Sequence, residues 1–89
     1  MDLREMRYIL ELAKTKHMTA AANNLYISQP ALYKSLKKIE HELDTSLFYK
    51  KDGELLPTDT GRIVIEKSQE ILKMAVQMED AITAAKNLK

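Results

Sequence analysis

The 89-residue sequence predicts a mostly α protein: a winged helix-turn-helix of three helices and a two-stranded β-hairpin wing, followed by a long linker helix for dimerisation. Three observations carry this reading. Two capped helical patterns separated only by Tyr26-Ile27 lie between Met18 and Leu43, the layout of a helix-turn-helix. Asp52-Gly53 stands between two short strand-like runs, a strong hairpin signal because glycine accepts the positive φ of a tight turn. After Pro57 a helical pattern without proline occupies the rest of the chain. The expected division is a winged helix-turn-helix domain over residues 1–58 and a linker helix over 59–89.

The first helix opens at a capping box, Asp2 followed three residues later by Glu5, and the apolar series Leu3, Met6, Leu10 and Ala13 then marks its inward face over about residues 3–14. Arg4 and Arg7 lie off that face and read as solvated surface. Lys14-Thr15-Lys16-His17 is a polar loop. Thr19 can cap a second, short helix whose inward residues are Ala21, Ala22 and Leu25, and these small residues let a third helix cross closely.

Tyr26-Ile27 makes the turn, with Ile27 sealing it from inside. The third helix starts at residues 28–30, capped by Ser28 or by Gln29, with Pro30 in its first turn, where a missing N–H costs little. Leu32, Leu36, Ile39 and Leu43 form one apolar stripe at about 100° per residue. Pro30, Lys34, Lys37, Lys38 and His41 point away from it, Tyr33 lies on its flank, and Ser35 faces the second helix. Such a helix packs inward and presents positive charge to a phosphate-lined groove, so residues 29–43 read as a recognition helix. Glu40, Glu42 and Asp44 read as solvated charge that confines the positive potential to its leading part.

Leu47–Lys50 and Glu54–Pro57 flank Lys51-Asp52-Gly53 as a hairpin, with Phe48 its buried anchor and Lys50 and Lys51 near its tip. Thr58-Asp59 then caps the long helix, which begins near Thr60. Val64, Ser68, Ile71, Ala75, Met78, Ile82 and Ala85 step by four and three, the seam of a helix that pairs with another. About 30 helical residues reach about 45 Å, past the edge of so small a domain, so the far half is expected to pair with a second copy.

Composition narrows the function. With no cysteine, and with His17 and His41 isolated, no metal site or cofactor is expected. No apolar run approaches the roughly 20 residues needed to span a bilayer, so no membrane partner is expected and the chain reads as cytoplasmic. A glycine-rich phosphate loop and a nucleophile beside a base are both missing, so no enzyme is expected. The net charge is only +1, but residues 28–39 carry three lysines and no acid.

Asp2-Leu3-Arg4, Thr19–Ala22, the run Leu25-Tyr26-Ile27-Ser28-Gln29-Pro30-Ala31-Leu32, Ile39–Leu43, Leu47-Phe48 and Thr58-Asp59-Thr60-Gly61 together resemble the N-terminal region of the LysR-type transcriptional regulators. The resemblance runs through nearly the whole chain. It implies a third helix in the major groove, a wing near the neighbouring minor groove, and a linker helix pairing antiparallel in a homodimer on an interrupted inverted repeat of double-stranded DNA. By position it places Gln29, Pro30, Tyr33 and Lys34 at base edges or adjoining phosphates; Thr19, Ser28, Lys37, Lys38, Lys50 and Lys51 complete the expected DNA contacts. Val64, Ile71, Ala75, Met78, Ile82 and Ala85 are the expected dimer interface.

Two departures bear on specificity. Many members of that family have Ser then Arg where Tyr33 and Lys34 stand, so a point charge replaces a bidentate guanidinium. Many also carry Arg in the wing where this chain has Gly53. The resemblance implies either an excised DNA-binding region, with any small-molecule effector bound by a domain missing from this chain, or a stand-alone short regulator. The alternative is a helical protein-interaction module that does not bind DNA.

Overall fold

The computed structural model describes residues 1–88 and runs α1 Leu3–Thr15, α2 Met18–Leu25, α3 Gln29–Leu43, β1 Phe48–Lys51, β2 Glu54–Pro57 and α4 Asp59–Lys86. Lys89, the end of the expected linker helix, lies outside the described residues.

Each helix starts where a side chain satisfies its free N–H groups, with one exception. At α1 the capping box is complete: the Asp2 carboxylate accepts from the Glu5 N–H at 2.8 Å, and the Glu5 carboxylate accepts from the Asp2 N–H at 2.9 Å. Ser28 Oγ caps α3 by accepting from the Ala31 N–H at 3.2 Å, and Thr58 Oγ1 caps α4 by accepting from the Gly61 N–H at 3.0 Å. The exception is α2, whose N-cap is His17 with no side-chain bond. Thr19, expected as that cap, sits inside the first turn and donates to Gln29 Oε1 at 3.0 Å instead.

The core is Ile9 and Leu12 of α1, Ala21 and Ala22 of α2, Leu32, Leu36 and Ile39 of α3, and Leu47 and Phe48 leading into the wing. Two expected faces differ. On α1 the buried face carries Glu5, Ile9 and Leu12, while Leu3 is exposed and Met6 and Leu10 are half-buried. This is a rotation of roughly one residue, about 100°. The cause is Glu5: periodicity discards a carboxylate as a core residue, yet this one is buried and bonded. On α3 the stripe ends at Ile39, because Leu43 overhangs the core and is exposed.

The wing pairs antiparallel, with Phe48 opposite Pro57 and Lys51 opposite Glu54. Asp52 (φ 51°) and Gly53 (φ 79°) both take the left-handed region, as a two-residue type I′ turn requires. The first strand starts one residue later than expected, because Leu47 is fully buried in the core. The Leu55 N–H donates to the Lys16 carbonyl at 2.8 Å, tying the hairpin to the end of α1.

α4 has 28 residues, a length of about 42 Å. Gly61, Val64, Ile65, Ser68, Leu72 and Ala75 are buried or half-buried along its first part, which packs on α1; from Val76 to Leu88 every residue is exposed. The radius of gyration is 15.2 Å, against about 12 Å for a compact chain of this length. The excess is the projecting half of α4.

Candidate nucleic-acid interface

The exposed face of α3 is built as the periodicity predicts. Gln29, Pro30, Tyr33, Lys34, Lys37, Lys38 and His41 are exposed, while Leu32, Leu36 and Ile39 are buried behind them. Its lysines are not equivalent. Lys38 bridges to Glu5 of α1 at 3.1 Å and to Glu42 at 3.6 Å. Its bond to Glu5, then the nearby charge of Glu42, raises its pKa above the ordinary lysine value. Lys37 bridges to Glu40 at 3.1 Å and lies 5.4 Å from the centre of the Tyr33 ring. Lys34 has no ion pair among the described residues.

Glu40, expected as solvated charge, is a buried acceptor. One oxygen takes the Lys37 ammonium and the other the Leu47 N–H at 2.7 Å. Glu5 is likewise buried, and its pKa lies below the usual carboxylate range because the Asp2 N–H bonds it and Lys38 adds a second bond. Asp2 is lowered for the reciprocal reason, the Glu5 N–H. Two of the lysines expected at DNA are thus also internal ties, and Lys34 carries the unshared charge of the face.

A cleft of about 450 Å³ opens between the α1–α2 junction, the head of α3 and the wing. It brings together four residues of the expected set, Thr19, Gln29, Tyr33 and Lys50. It adds Lys16 and His17, which sequence reasoning leaves as loop. The usable signal is position: Lys16 is the left-handed C-cap of α1 (φ 65°) and His17 the N-cap of α2, so the Lys16 ammonium stands beside the amino end of the next helix, where anions are favoured. Glu54 of the wing tempers this charge, its carboxylate lying 4.0 Å from His17 Nε2. Lys51 is exposed on the wing, outside the cleft lining. Ser28 is exposed at the head of α3, with its hydroxyl engaged as the cap.

The expected seam of α4 divides. Val64 packs against this chain's own core, Ser68 is buried and Ala75 is half-buried, so these face inward. Ile71, Met78, Ile82 and Ala85 are exposed and are joined by Ile63 and Met74, so the free stripe is turned away from the α1-facing side. No group of His, Cys, Asp and Glu among the described residues could hold a metal ion, and no helix among them is long and apolar enough to cross a membrane.

The family model for the bacterial regulatory helix-turn-helix protein, lysR family, matches residues 3–62. The chain belongs to the LysR family. It is 34% identical over 90 residues to the regulator BsdA of Bacillus subtilis (strain 168), covering 100% of this chain and 30% of BsdA. It is 40% identical over 73 residues to YcgK of the same organism, an HTH-type transcriptional regulator, covering 82% of this chain and 22% of YcgK. The chain therefore spans under a third of these LysR relatives. Among solved structures, the BenM DBD in a complex with benA site 1 DNA superposes with a TM-score of 0.93 at 25% identity, covering 100% of both chains. The CbnR DBD in a complex with DNA superposes at 0.89 with 28% identity, covering 98% of this chain and 100% of that one. Its mostly helical architecture with one two-stranded hairpin is that of the LysR winged helix-turn-helix domains.

Proposed function

We propose that this chain is the sequence-specific DNA-binding part of a LysR-type transcription regulator, acting as a homodimer on an interrupted inverted repeat. The observation that carries it is the open face of α3, where Tyr33 and Lys34, the latter with no ion pair among the described residues, stand at the cleft that gathers Thr19, Gln29 and Lys50. α3 enters the major groove, where a lysine and an amide distinguish base edges and the Tyr33 phenol meets thymine methyls or phosphate. Lys50 and Lys51 on the wing approach the backbone near the minor groove, and Lys16 with the α2 amino end positions a phosphate. The solved BenM and CbnR DNA complexes support the docking, since this chain shares their fold across its length. The free stripe Ile71, Met74, Met78 and Ile82 of α4 pairs with its twin. Such a regulator works in the cytoplasm and takes its effector on a domain outside this chain.

The test is selection of bound duplexes from a random pool. A two-fold symmetric winner is expected, with affinity falling steeply between low and moderate salt. Equal affinity for winner and random duplex, alongside a dimer in sedimentation, would select the protein-interaction reading instead.

A further inference from the structure

We infer that Glu40 is a positioning residue for the distance between half-sites, acting through Leu47 without touching DNA; this rests on the homodimer reading above. Leu47 is fully buried, and both of its backbone groups are spoken for. Its N–H donates to Glu40 Oε2 of α3 at 2.7 Å, and its carbonyl accepts from the Thr58 N–H at the head of α4 at 3.0 Å. Gly61, in the first turn of α4, sits hard against that same carbonyl: a Cβ there would lie 2.0 Å from the oxygen. The preceding residue repeats the pattern at the surface, the Ser46 carbonyl accepting from Thr58 Oγ1 at 2.6 Å and from Thr60 Oγ1 at 3.0 Å.

The clamp links the two functional helices through the loop residue Leu47, beside the packing of α4 on α1. α3 carries the base-reading face and α4 the pairing stripe; both pack on α1, and the Glu40–Leu47–Gly61 contact fixes where the head of α4 stands against α3. The lever is long. A tilt of about 10° at this joint moves the far end of a rod of about 42 Å by about 7 Å, or two base-pair steps of about 3.4 Å. The acceptor is a carboxylate whose other oxygen takes the Lys37 ammonium at 3.1 Å, and a carboxylate bond to a buried N–H is the strong kind. Half-site spacing is therefore written into a carboxylate on the hidden side of the recognition helix.

The experiment uses the 89-residue chain and the selected repeat, with its spacer as found, lengthened by one base pair or shortened by one, and reads affinity by fluorescence anisotropy. The wild-type protein is expected to lose about tenfold in affinity for either change. Glu40→Gln keeps an acceptor for the Leu47 N–H and retains that discrimination. Glu40→Leu removes the acceptor at similar volume and flattens the ratio between spacings to under about threefold. The ratio is the readout because a released Lys37 or a weaker fold shifts all spacings together. If Glu40→Leu does not fold, Thr60→Val, which removes one of the two threonine hydroxyl bonds to the Ser46 carbonyl at the surface end of the joint, is expected to broaden the spacing.

Wild-type tolerance of a one-base-pair change, or a folded Glu40→Leu dimer with wild-type discrimination, overturns the inference, as does an unchanged ratio in Thr60→Val where that variant stands in. Wild-type protein that binds an isolated half-site as tightly as the repeat overturns the homodimer reading instead, and the two failures are distinct.

Discussion

The Lys38 ammonium, on the helix proposed to face DNA, is held 3.1 Å from the buried carboxylate of Glu5 on α1. That tie separates two kinds of lysine on one face. Lys38→Ala is expected to lower the midpoint of thermal unfolding and leave the salt slope of DNA affinity unchanged, because its charge is already compensated within the fold. Lys34→Ala is expected to leave the midpoint unchanged and lower affinity for the selected duplex. Anisotropy titrations at several salt concentrations, beside a melting curve, check both.

Base reading and backbone contact separate in the same way. Lys34→Ala, at the leading part of α3, is expected to relax preference at one or two positions of each half-site, a loss of about 1–3 kcal/mol on the best duplex and less on others. Lys50→Ala, on the wing, is expected to weaken all duplexes by a similar factor. Competition between the selected duplex and single-substitution derivatives distinguishes these outcomes.

Acid should loosen the α1–α3 contact. Asp2 and Glu5 titrate below the ordinary carboxylate range when folded, chiefly because each accepts the other's N–H. Their contribution is therefore complete above the unfolded value of about 4 and is lost as pH falls through the lower folded value. Lys38 is raised, so its contribution persists through neutral pH and disappears only in strong alkali, as pH rises through its folded value. Urea unfolding of Glu5→Gln should show a deficit at pH 7 that narrows toward pH 3 as wild type loses its advantage.

The elements were legible because their signals are local. Asp2 with Glu5, Ser28 with Pro30, Asp52 with Gly53, and Thr58 each act within a few residues, and all four stand where the pattern places them. The buried carboxylates were not legible, because Glu5 meets its lysine 33 residues away and Glu40 meets a backbone N–H in a loop. Periodicity counts both as surface. For the same reason the α1 face is rotated from the one expected, and Lys37 and Lys38 look freer in sequence than they are. Lys16 and His17 joined the cleft only once the wing folded back against the end of α1.

Gly61 is set by contact rather than by φ. A methyl group at this position would overlap the Leu47 carbonyl, and neither partner can yield, since one is helix backbone and the other is clamped by the Thr58 N–H. Gly61→Ala is expected to cost about 1–3 kcal/mol or more despite alanine's better helix propensity. An alanine at Gly53, where space is open but φ is +79°, should cost only the backbone strain of about 1 kcal/mol. Chemical denaturation of the two variants ranks them.

The two halves of α4 should answer to mutation differently. Val64 packs on the chain's own core, whereas Met74, Met78 and Ile82 lie open on the projecting half. Met78→Asp puts a charge into the apolar stripe proposed to pair and costs an unpaired chain nothing, so it is expected to yield a folded monomer with unchanged helix content and thermal midpoint at low concentration. Val64→Asp places the charge against the core and is expected to lower the midpoint at every concentration. Sedimentation equilibrium and melting over a range of protein concentrations test both. A Met78→Asp protein that still sediments as the wild-type dimer would move the pairing surface off this stripe. Because the exposed residues lie one side of the α1-facing row rather than upon it, a dimer formed there leaves the α1 contact of each chain intact, so reading face and pairing face can be occupied together.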